Sequence, residues 1–245
     1  MDTAKLLDLA KACVLDAGKL LREGGDKLRV VHERIAHDVK LEADRAAERL
    51  IREKLEKTGI PIIGEEYGGN EELLLGDELY WAVDPLDGTV NYSVGIPFSC
   101  SCVGLWRGLK PVAGAVYDFW HDELFAGAEG VGASLNGKTI CVPQGVTNKK
   151  EVMATILWYP FPSPQWIQNL SAQYRQPRII GSCALLLSYL AAGRIGAFFE
   201  QVYIWDVAAP LAVLQAAGGV FEIKSLGGCR VEVAAAWNKK LLPRG

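Results

Sequence analysis

The sequence lacks an excess of positive charge, and it lacks an apolar run long enough to cross a membrane. Its 245 residues contain 26 Lys and Arg against 29 Asp and Glu, which gives a formal net charge of −3. Proteins that bind nucleic acid or anionic membranes usually show a basic face, so we expect neither kind of partner. The longest apolar stretch, residues 183–192, is about half as long as the ~20 residues of a membrane span and predicts a buried helix.

Cysteine is present, but it lacks the spacing of a zinc knuckle and the setting of a disulfide scaffold. The six cysteines stand at positions 13, 100, 102, 141, 183 and 229. Half of the residues are hydrophobic and 22% are charged, so a chain of this length can form an ordinary core without disulfides. The N-terminal segment carries too many charges for a secretory signal. These features predict reduced thiols in a cytoplasmic protein.

The predicted helices and strands follow an order that indicates layered α/β or α+β architecture. Hydrophobic spacing predicts helices at residues 4–22, 42–57, 165–175, 182–192 and 206–217. Apolar runs predict strands at residues 61–63, 80–83, 99–105, 112–117, 123–126, 152–158, 197–200, 219–223 and 231–237. Asn136-Gly137 predicts a hairpin turn. The polar residues 22–38 are expected to be mobile.

Residues 141–150 have the composition of a linker. We therefore expect an N-terminal α+β subdomain, residues 1–140, and a C-terminal α/β subdomain, residues 141–245. The functional site is expected between them.

The segment DPLDGTVNY, residues 84–92, carries the clearest chemical signal. An apolar strand ends at Asp84 and Pro85 turns the chain at once, so Asp84 and Asp87 can point into one pocket. The Leu86 carbonyl would be exposed between them. Two converging carboxylates repel each other and would repel an anion. A hard divalent cation such as Mg²⁺ resolves this repulsion, because it takes oxygen ligands and fills its remaining positions with water and phosphate.

The next two residues of this segment suit an anion. Gly88 lets the backbone approach a ligand closely, and Thr89 supplies a hydroxyl and an N–H that can open a short helix, where phosphate is favoured. The same residue types also favour an ordinary Asp-Pro turn that caps a helix. A chemical alternative is the D-x-D-G-T loop of haloacid-dehalogenase phosphatases, in which one of two aspartates is a nucleophile. There the aspartates are two apart; here they are three apart with a proline between, which disfavours the covalent route.

Three further acids stand where elements are predicted to begin or end. Glu65 ends a short strand, Asp206 opens an apolar helix, and Asp44 lies near the start of helix 42–57. Taken singly, Glu65 is typical of a solvated loop, and Asp206 and Asp44 are typical of helix caps.

Together these segments resemble the inositol monophosphatase family, and the resemblance covers nearly the whole chain. It is carried by DVKLEADRAAERLI (38–51), GEE (64–66), WAVDPLDGTVNY (81–92), AGAVYDFWHDELFAGAEGVGASLNG (113–137), IIGSCALLLSYLAAGRIGAFFE (179–200) and WDVAAPLAVLQAAGG (205–219). The implied fold is a layered α-β-α-β-α sandwich of the sugar-phosphatase type with mixed sheets. The implied cofactor is Mg²⁺, two or three ions per active site. The implied reaction is attack of water on a phosphate monoester without a covalent enzyme intermediate.

The resemblance also implies roles for individual positions. The implied magnesium ligands are Glu65, Asp84, the Leu86 carbonyl, Asp87 and Asp206. Gly88 and Thr89 would bind the phosphate through backbone N–H groups. Asp44 with Thr89 would polarise the attacking water, and Glu65 completes the catalytic set.

The resemblance also implies residues that would contact the rest of the substrate. Ser182 and Cys183 match a Gly-Ser/Thr-Ala segment that contacts the polyol, although Ser182 is equally typical of a helix N-cap. Asp87 and Asp206 would also contact the substrate. Glu200 resembles the glutamate that receives a substrate hydroxyl, but it lies six residues before Asp206 instead of seven. Arg178, with Arg175, would suit a second phosphate, and a solvated charge pair at a helix end is the alternative.

The resulting hypothesis is a Mg²⁺-dependent phosphate monoester hydrolase acting on a small molecule. The first candidate substrate is inositol 1-phosphate, and fructose 1,6-bisphosphatase activity is the alternative, alone or in addition. Histidinol phosphate and 3′-phosphoadenosine 5′-phosphate are further options. The three histidines have no convincing partner in the sequence, which fits water attack better than a phosphohistidine. The family also suggests a homodimer and lithium sensitivity. A non-catalytic regulatory member of the fold is the alternative of a different class.

Overall fold

The computed structural model describes residues 2–35, 38–155 and 164–243. The α-helices in this part of the chain are α1 Thr3–Leu28, α2 Glu42–Leu55, α3 Thr89–Val94, α4 Pro164–Gln173, α5 Cys183–Ala191 and α6 Ile204–Ala216. The strands are β1 Val31–Ile35, β2 Asp38–Leu41, β3 Ile62–Gly64, β4 Leu79–Asp87, β5 Cys100–Arg107, β6 Lys110–Asp118, β7 Glu123–Ala128, β8 Gly132–Leu135, β9 Lys138–Ile140, β10 Ala154–Thr155, β11 Ala197–Tyr203, β12 Val220–Gly227 and β13 Arg230–Ala236. None of these helices is long and apolar enough to cross a bilayer.

The larger sheet has seven strands in the order β3-β4-β5-β6-β7-β8-β9. β3 pairs with β4 in parallel, and every other pair is antiparallel, so the sheet is mixed. Asn136 and Gly137 both have positive φ at the β8–β9 turn, which confirms the predicted hairpin. α1 and α2 cover one face of this sheet, and α1 buries Leu7, Ala10 and Val14 at helical spacing.

The smaller sheet has four strands in the order β10-β11-β13-β12, again with one parallel pair, β10 with β11. α5 and α6 pack together and contact strands of both sheets, so they form the layer between them. α6 lies close against the larger sheet, because a Cβ on Gly114 would stand 2.3 Å from the Ala209 carbonyl oxygen. The layered α/β architecture with mixed sheets is thereby confirmed.

One stretch differs from its prediction. The helix predicted at residues 4–22 continues through Gly25 to Leu28, and β1 then pairs with β2 as an antiparallel hairpin, where the sequence predicted no strand. The mobility of residues 22–38 stays a prediction. Gly25 departs from helical geometry, with φ 51° and ψ −142°, which is the break that the Gly24-Gly25 pair indicated. The hairpin satisfies its backbone groups by pairing, as in Glu33 opposite Lys40, although its sequence is polar.

The apolar core forms two clusters on either side of the larger sheet. One joins α1 and α2 to that sheet; the other joins α5 and α6 to both sheets. The division into subdomains 1–140 and 141–245 stays a prediction. The second part of the strand predicted at 152–158 lies outside the described residues.

Candidate active site

The DPLDGTVNY segment forms a bulge in β4 followed by the short helix α3. In the pairing of β4 with β5, Asp84 lies opposite Cys102 and Asp87 opposite Cys100, so three steps along β4 match two along β5. A bulge of this kind bends the strand and changes where its side chains point. The carboxylate of Asp84 accepts a hydrogen bond from the Leu86 N–H at 3.0 Å, which stabilises the turn through Pro85.

Gly88 joins the bulge to α3 in a conformation that favours glycine. Its φ is 86°, and a Cβ there would stand 2.8 Å from the Phe98 carbonyl oxygen. α3 begins at the next residue, so the Thr89 backbone N–H belongs to the first turn of a helix. The Thr89 hydroxyl is 2.8 Å from the Leu86 carbonyl oxygen and 3.1 Å from Asp44 Oδ1.

Asp44 is both a helix cap and a partner of Thr89. It is the third residue of α2, and its Oδ2 accepts a hydrogen bond from the Leu41 N–H at 2.7 Å. Burial raises the pKa of Asp44 to about 7; the hydrogen bond from Leu41 lowers it, and the charge of Glu66 raises it further. Asp44 is therefore a buried carboxyl that exchanges its proton near neutral pH.

Asp87 reaches across to the first turn of α5. Its Oδ2 accepts hydrogen bonds from the Ser182 hydroxyl and from the Ala184 N–H at 2.8 Å, and its Oδ1 accepts one from the Cys183 N–H at 3.2 Å. Burial raises the pKa of Asp87, and these hydrogen bonds oppose that rise. A buried carboxylate on the first turn of a helix is also favoured by the helix dipole.

Asp206 repeats the cap of Asp44 at a different helix. It is the third residue of α6, and its Oδ2 accepts a hydrogen bond from the Tyr203 N–H at 2.9 Å. The predicted N-cap role of Asp206 is therefore corrected: Tyr203 is the N-cap, and Asp206 caps the helix from its third position. This role does not compete with a functional one, because the same residue lines the cleft described below.

Glu65 follows β3 on a loop that α2 holds in place. The carboxylate of Glu48, which is fully buried on α2, accepts a hydrogen bond from the Glu66 N–H at 2.8 Å. It also forms a salt bridge with Arg52 at 2.7 Å. Arg52 in turn donates to the Gly68 carbonyl at 2.9 Å. This clamp connects both ends of the turn that follows Glu65.

These elements enclose a cleft of about 200 Å³. Its lining is Glu65, Asp84, Leu86, Asp87, Gly88, Thr89, Val90, Gly181, Cys183 and Asp206. Burial raises the pKa of Asp84 well above its usual range, and the negative charges of Glu65, Asp87 and Asp206 raise it further. Four carboxylates, one after β3, two on β4 and one on α6, therefore face one space and repel one another.

The donors around the cleft fit a hard divalent cation. They are the carboxylate oxygens together with Leu86, which also lines the cleft. A cation among them would relieve the repulsion that raises the pKa of Asp84. In the described part of the chain, no three His, Cys, Asp or Glu side chains are grouped tightly enough to ligate one ion by themselves. Mg²⁺ takes one or two carboxylates and keeps water or phosphate oxygens in its remaining positions, so the oxygen donors of the cleft fit it.

Of the other predicted site residues, some line the cleft and others do not. Ser182 contacts Asp87 through its hydroxyl, and its neighbour Cys183 lines the cleft. Glu200 is buried in β11 and lies near enough to Cys183 to act on it electrostatically, but it is not part of the lining. Arg178 directs its guanidinium to the Gln176 and Pro177 carbonyls, away from that lining.

Two residues that support the site were not predicted from the sequence. One is Glu48, whose i,i+4 spacing to Arg52 on a predicted helix was an available signal. The other is Asn91, whose amide donates to the Phe98 carbonyl at 2.9 Å and to the Ile180 carbonyl at 2.8 Å. The second bond joins the α3 segment to the segment before α5, a contact between distant parts of the chain that spacing does not indicate.

Comparison with known proteins agrees with this geometry. A sequence model of the inositol monophosphatase family matches residues 2–234. "Inositol monophosphatase 3" of Solanum lycopersicum is 38% identical over 229 residues, covering 88% of this chain and 84% of that protein. "Fructose-1,6-bisphosphatase/inositol-1-monophosphatase" of Aquifex aeolicus is 32% identical over 233 residues, covering 89% and 86%.

A solved structure extends the match to three dimensions. Inositol monophosphatase from Anabaena (Nostoc) sp. PCC 7120 superposes with a TM-score of 0.81 at 28% identity, covering 96% of this chain and 92% of that one. The acids that the sequence marked out, the layered fold that brings them to one cleft, and these matches agree. The chain belongs to the inositol monophosphatase family, whose members hydrolyse phosphate monoesters.

Proposed function

We propose that this chain is a Mg²⁺-dependent phosphatase of small phosphate esters, with inositol 1-phosphate as its first substrate. The observation that carries the proposal is the convergence of Glu65, Asp84, Asp87 and Asp206 on one cleft beside the start of α3. An acidic cleft binds an anionic substrate only if cations invert its charge. Two or three Mg²⁺ ions held by these carboxylates and the Leu86 carbonyl would polarise the phosphate and the attacking water.

The chain's own residues supply the rest of the reaction. Gly88 and Thr89 present backbone at the phosphate position, where N–H groups in the first turn of α3 stabilise negative charge. A water placed against the Thr89 hydroxyl can pass its proton through that hydroxyl to Asp44, whose pKa of about 7 suits a proton acceptor at neutral pH. Cys183 and Asp206, on the other side of the cleft, face the alcohol that leaves.

A second activity, hydrolysis of fructose 1,6-bisphosphate, has support from relatives that are named for both activities. The Aquifex aeolicus protein carries both activities in its name and matches over most of its length. Because Arg178 does not line the cleft, we do not assign it the second phosphate.

The direct test is phosphate release from a panel of esters by EDTA-stripped enzyme, with and without Mg²⁺. The panel contains inositol 1-phosphate, fructose 1,6-bisphosphate, histidinol phosphate and 3′-phosphoadenosine 5′-phosphate. We expect release that requires Mg²⁺ and is fastest with inositol 1-phosphate. Background release from every ester with Mg²⁺ present would refute the enzyme assignment and favour a regulatory member of the fold.

Three finer points belong to the same proposal. The six free cysteines support a reducing compartment and hence a cytoplasmic location. The homodimer and the lithium sensitivity follow from the family resemblance alone. Sedimentation of the purified protein tests the first, and Li⁺ titration of Mg²⁺-dependent phosphate release tests the second.

A further inference from the structure

The two carboxylate oxygens of Asp87 face different numbers of hydrogen-bond donors. Its Oδ2 faces three of them, the Ser182 hydroxyl, the Ala184 N–H and the Cys100 thiol, whose sulfur lies at 3.7 Å. Its Oδ1 faces one, the Cys183 N–H at 3.2 Å. A carboxylate oxygen has about two acceptor positions, so Oδ2 is fully used and Oδ1 retains one.

The Ser182 hydroxyl likewise both donates and accepts a hydrogen bond. It is the N-cap of α5 and only 1% exposed. Its hydroxyl has a single proton, which it donates to Asp87, and its oxygen accepts the Leu185 N–H at 3.3 Å. Its neighbours Gly181 and Cys183 line the cleft, whereas Ser182 does not.

We propose that Ser182 is a positioning residue, which orients Asp87 so that its Oδ1 alone is presented to the cation, and that it does not contact the substrate. The proposal rests on the proposed function, because it takes Asp87 as a cation ligand. Hydrogen bonds to a ligating carboxylate fix its orientation, and their loss commonly weakens metal affinity 10- to 100-fold. Ser182 then governs how tightly the cation is bound, and the polyol is recognised by other residues.

The same contact connects distant parts of the fold. Asp87 and Ser182 are 95 positions apart, one on the larger sheet and one at the start of the helix layer between the sheets. The first turn of α5 thereby holds a cation ligand of β4 in place.

The experiment measures cation binding apart from turnover. Mn²⁺ is titrated into EDTA-stripped protein without substrate and followed by electron paramagnetic resonance, and the KM for inositol 1-phosphate is measured at saturating Mg²⁺. For Ser182→Ala we expect the Mn²⁺ dissociation constant to rise about 10-fold and the KM to change less than about 2-fold. Ser182→Thr keeps the hydroxyl and should restore wild-type affinity.

Two further variants keep the test decisive. Ser182→Gly also removes the hydroxyl but is a tolerated N-cap, so it replaces the alanine variant if that protein does not fold. Ser188→Ala is the matched control, because its hydroxyl lies buried on the same helix and has no hydrogen-bond partner within the described residues. We expect its Mn²⁺ affinity to equal that of the wild type.

Specific results would overturn the proposal. A raised KM with unchanged Mn²⁺ affinity in Ser182→Ala or Ser182→Gly would show a direct substrate contact instead. Unchanged values of both would show no role. If the wild-type protein itself bound no Mn²⁺, the proposed function would fail together with this inference, and the wild-type isotherm alone reveals that case.

Discussion

The two sides of the cleft are built in different ways. The larger-sheet side takes Asp84, Leu86, Asp87 and Thr89 from one continuous segment, whose bulge and short helix fix their relative positions locally. The smaller-sheet side gathers Cys183 from α5 and Asp206 from α6, and Glu200 of β11 lies near Cys183. The relative positions of the first group depend on local sequence, whereas those of the second depend on how separate elements pack.

Outside that segment, two acids cap their helices in the same way. Asp44 and Asp206 are each the third residue of a helix, and each accepts the hydrogen bond of the N-cap backbone N–H. Asp44 is buried against Thr89, whereas Asp206 opens onto the cleft. The same cap therefore fixes a candidate proton acceptor in one place and a candidate cation ligand in the other.

The largest effect is expected at the local side. Asp84→Asn should lower Mg²⁺-dependent phosphate release roughly 10³-fold, because losing one cation ligand removes several kcal/mol of transition-state stabilisation. Steady-state release from inositol 1-phosphate measures it. Asp77→Asn, an exposed aspartate just before β4, is the control. Activity of Asp84→Asn within 10-fold of that control would contradict the account.

A smaller effect is expected where α2 supports the Glu65 loop. Glu48→Ala leaves Arg52 without its buried partner, so the free energy of unfolding should fall by about 3 kcal/mol. Activity should fall roughly 10-fold, because Glu65 is held less precisely. Urea unfolding and steady-state kinetics measure the two quantities. The exposed Glu53→Ala on the same helix is the control, and equal behaviour of the two variants would show that the clamp is unimportant.

The buried acids also predict how stability depends on pH. The pKa of Asp44 is about 7 in the folded protein and near 3.8 when unfolded, and the pKa of Asp84 is raised as well. Between those values the folded state binds more protons than the unfolded state. Without cation, the free energy of unfolding should therefore fall, on the order of 2–4 kcal/mol, as pH rises from 4 to 7.

Urea unfolding in EDTA at several pH values measures this fall. Added Mg²⁺ should reduce it, because the cation binds the ionised carboxylates of the folded state. Stability that rises across this range in EDTA would contradict the burial argument.

The smallest effect is expected at Arg178, on the other side. Its guanidinium bonds to the adjacent chain and does not line the cleft, so Arg178→Ala should change phosphate release less than about 3-fold with either inositol 1-phosphate or fructose 1,6-bisphosphate. Parallel assays of both substrates measure it. A selective loss on the bisphosphate would instead place a second phosphate at this arginine.

The sequence was most informative where structure is local. Apolar spacing located α2, β4 and α6, and the loop from Asp84 to Thr89 followed from the chemistry of Asp, Pro and Gly. It did not predict the β1–β2 hairpin, since these strands are polar and only backbone pairing reveals them. It indicated neither the Ser182–Asp87 bond nor the bond from the Glu66 N–H to Glu48, because those contacts depend on elements that meet only after folding.

The claim that the carboxylates of the cleft form a divalent-cation site is tested most directly by cation binding itself. Mn²⁺ is titrated into EDTA-stripped wild-type protein and into Asp84→Asn, in the absence of substrate, and free Mn²⁺ is followed by electron paramagnetic resonance. We expect saturable binding to the wild type and a loss of affinity of at least about 10-fold in Asp84→Asn. Equal binding by the two proteins, or no binding by the wild type, would contradict it.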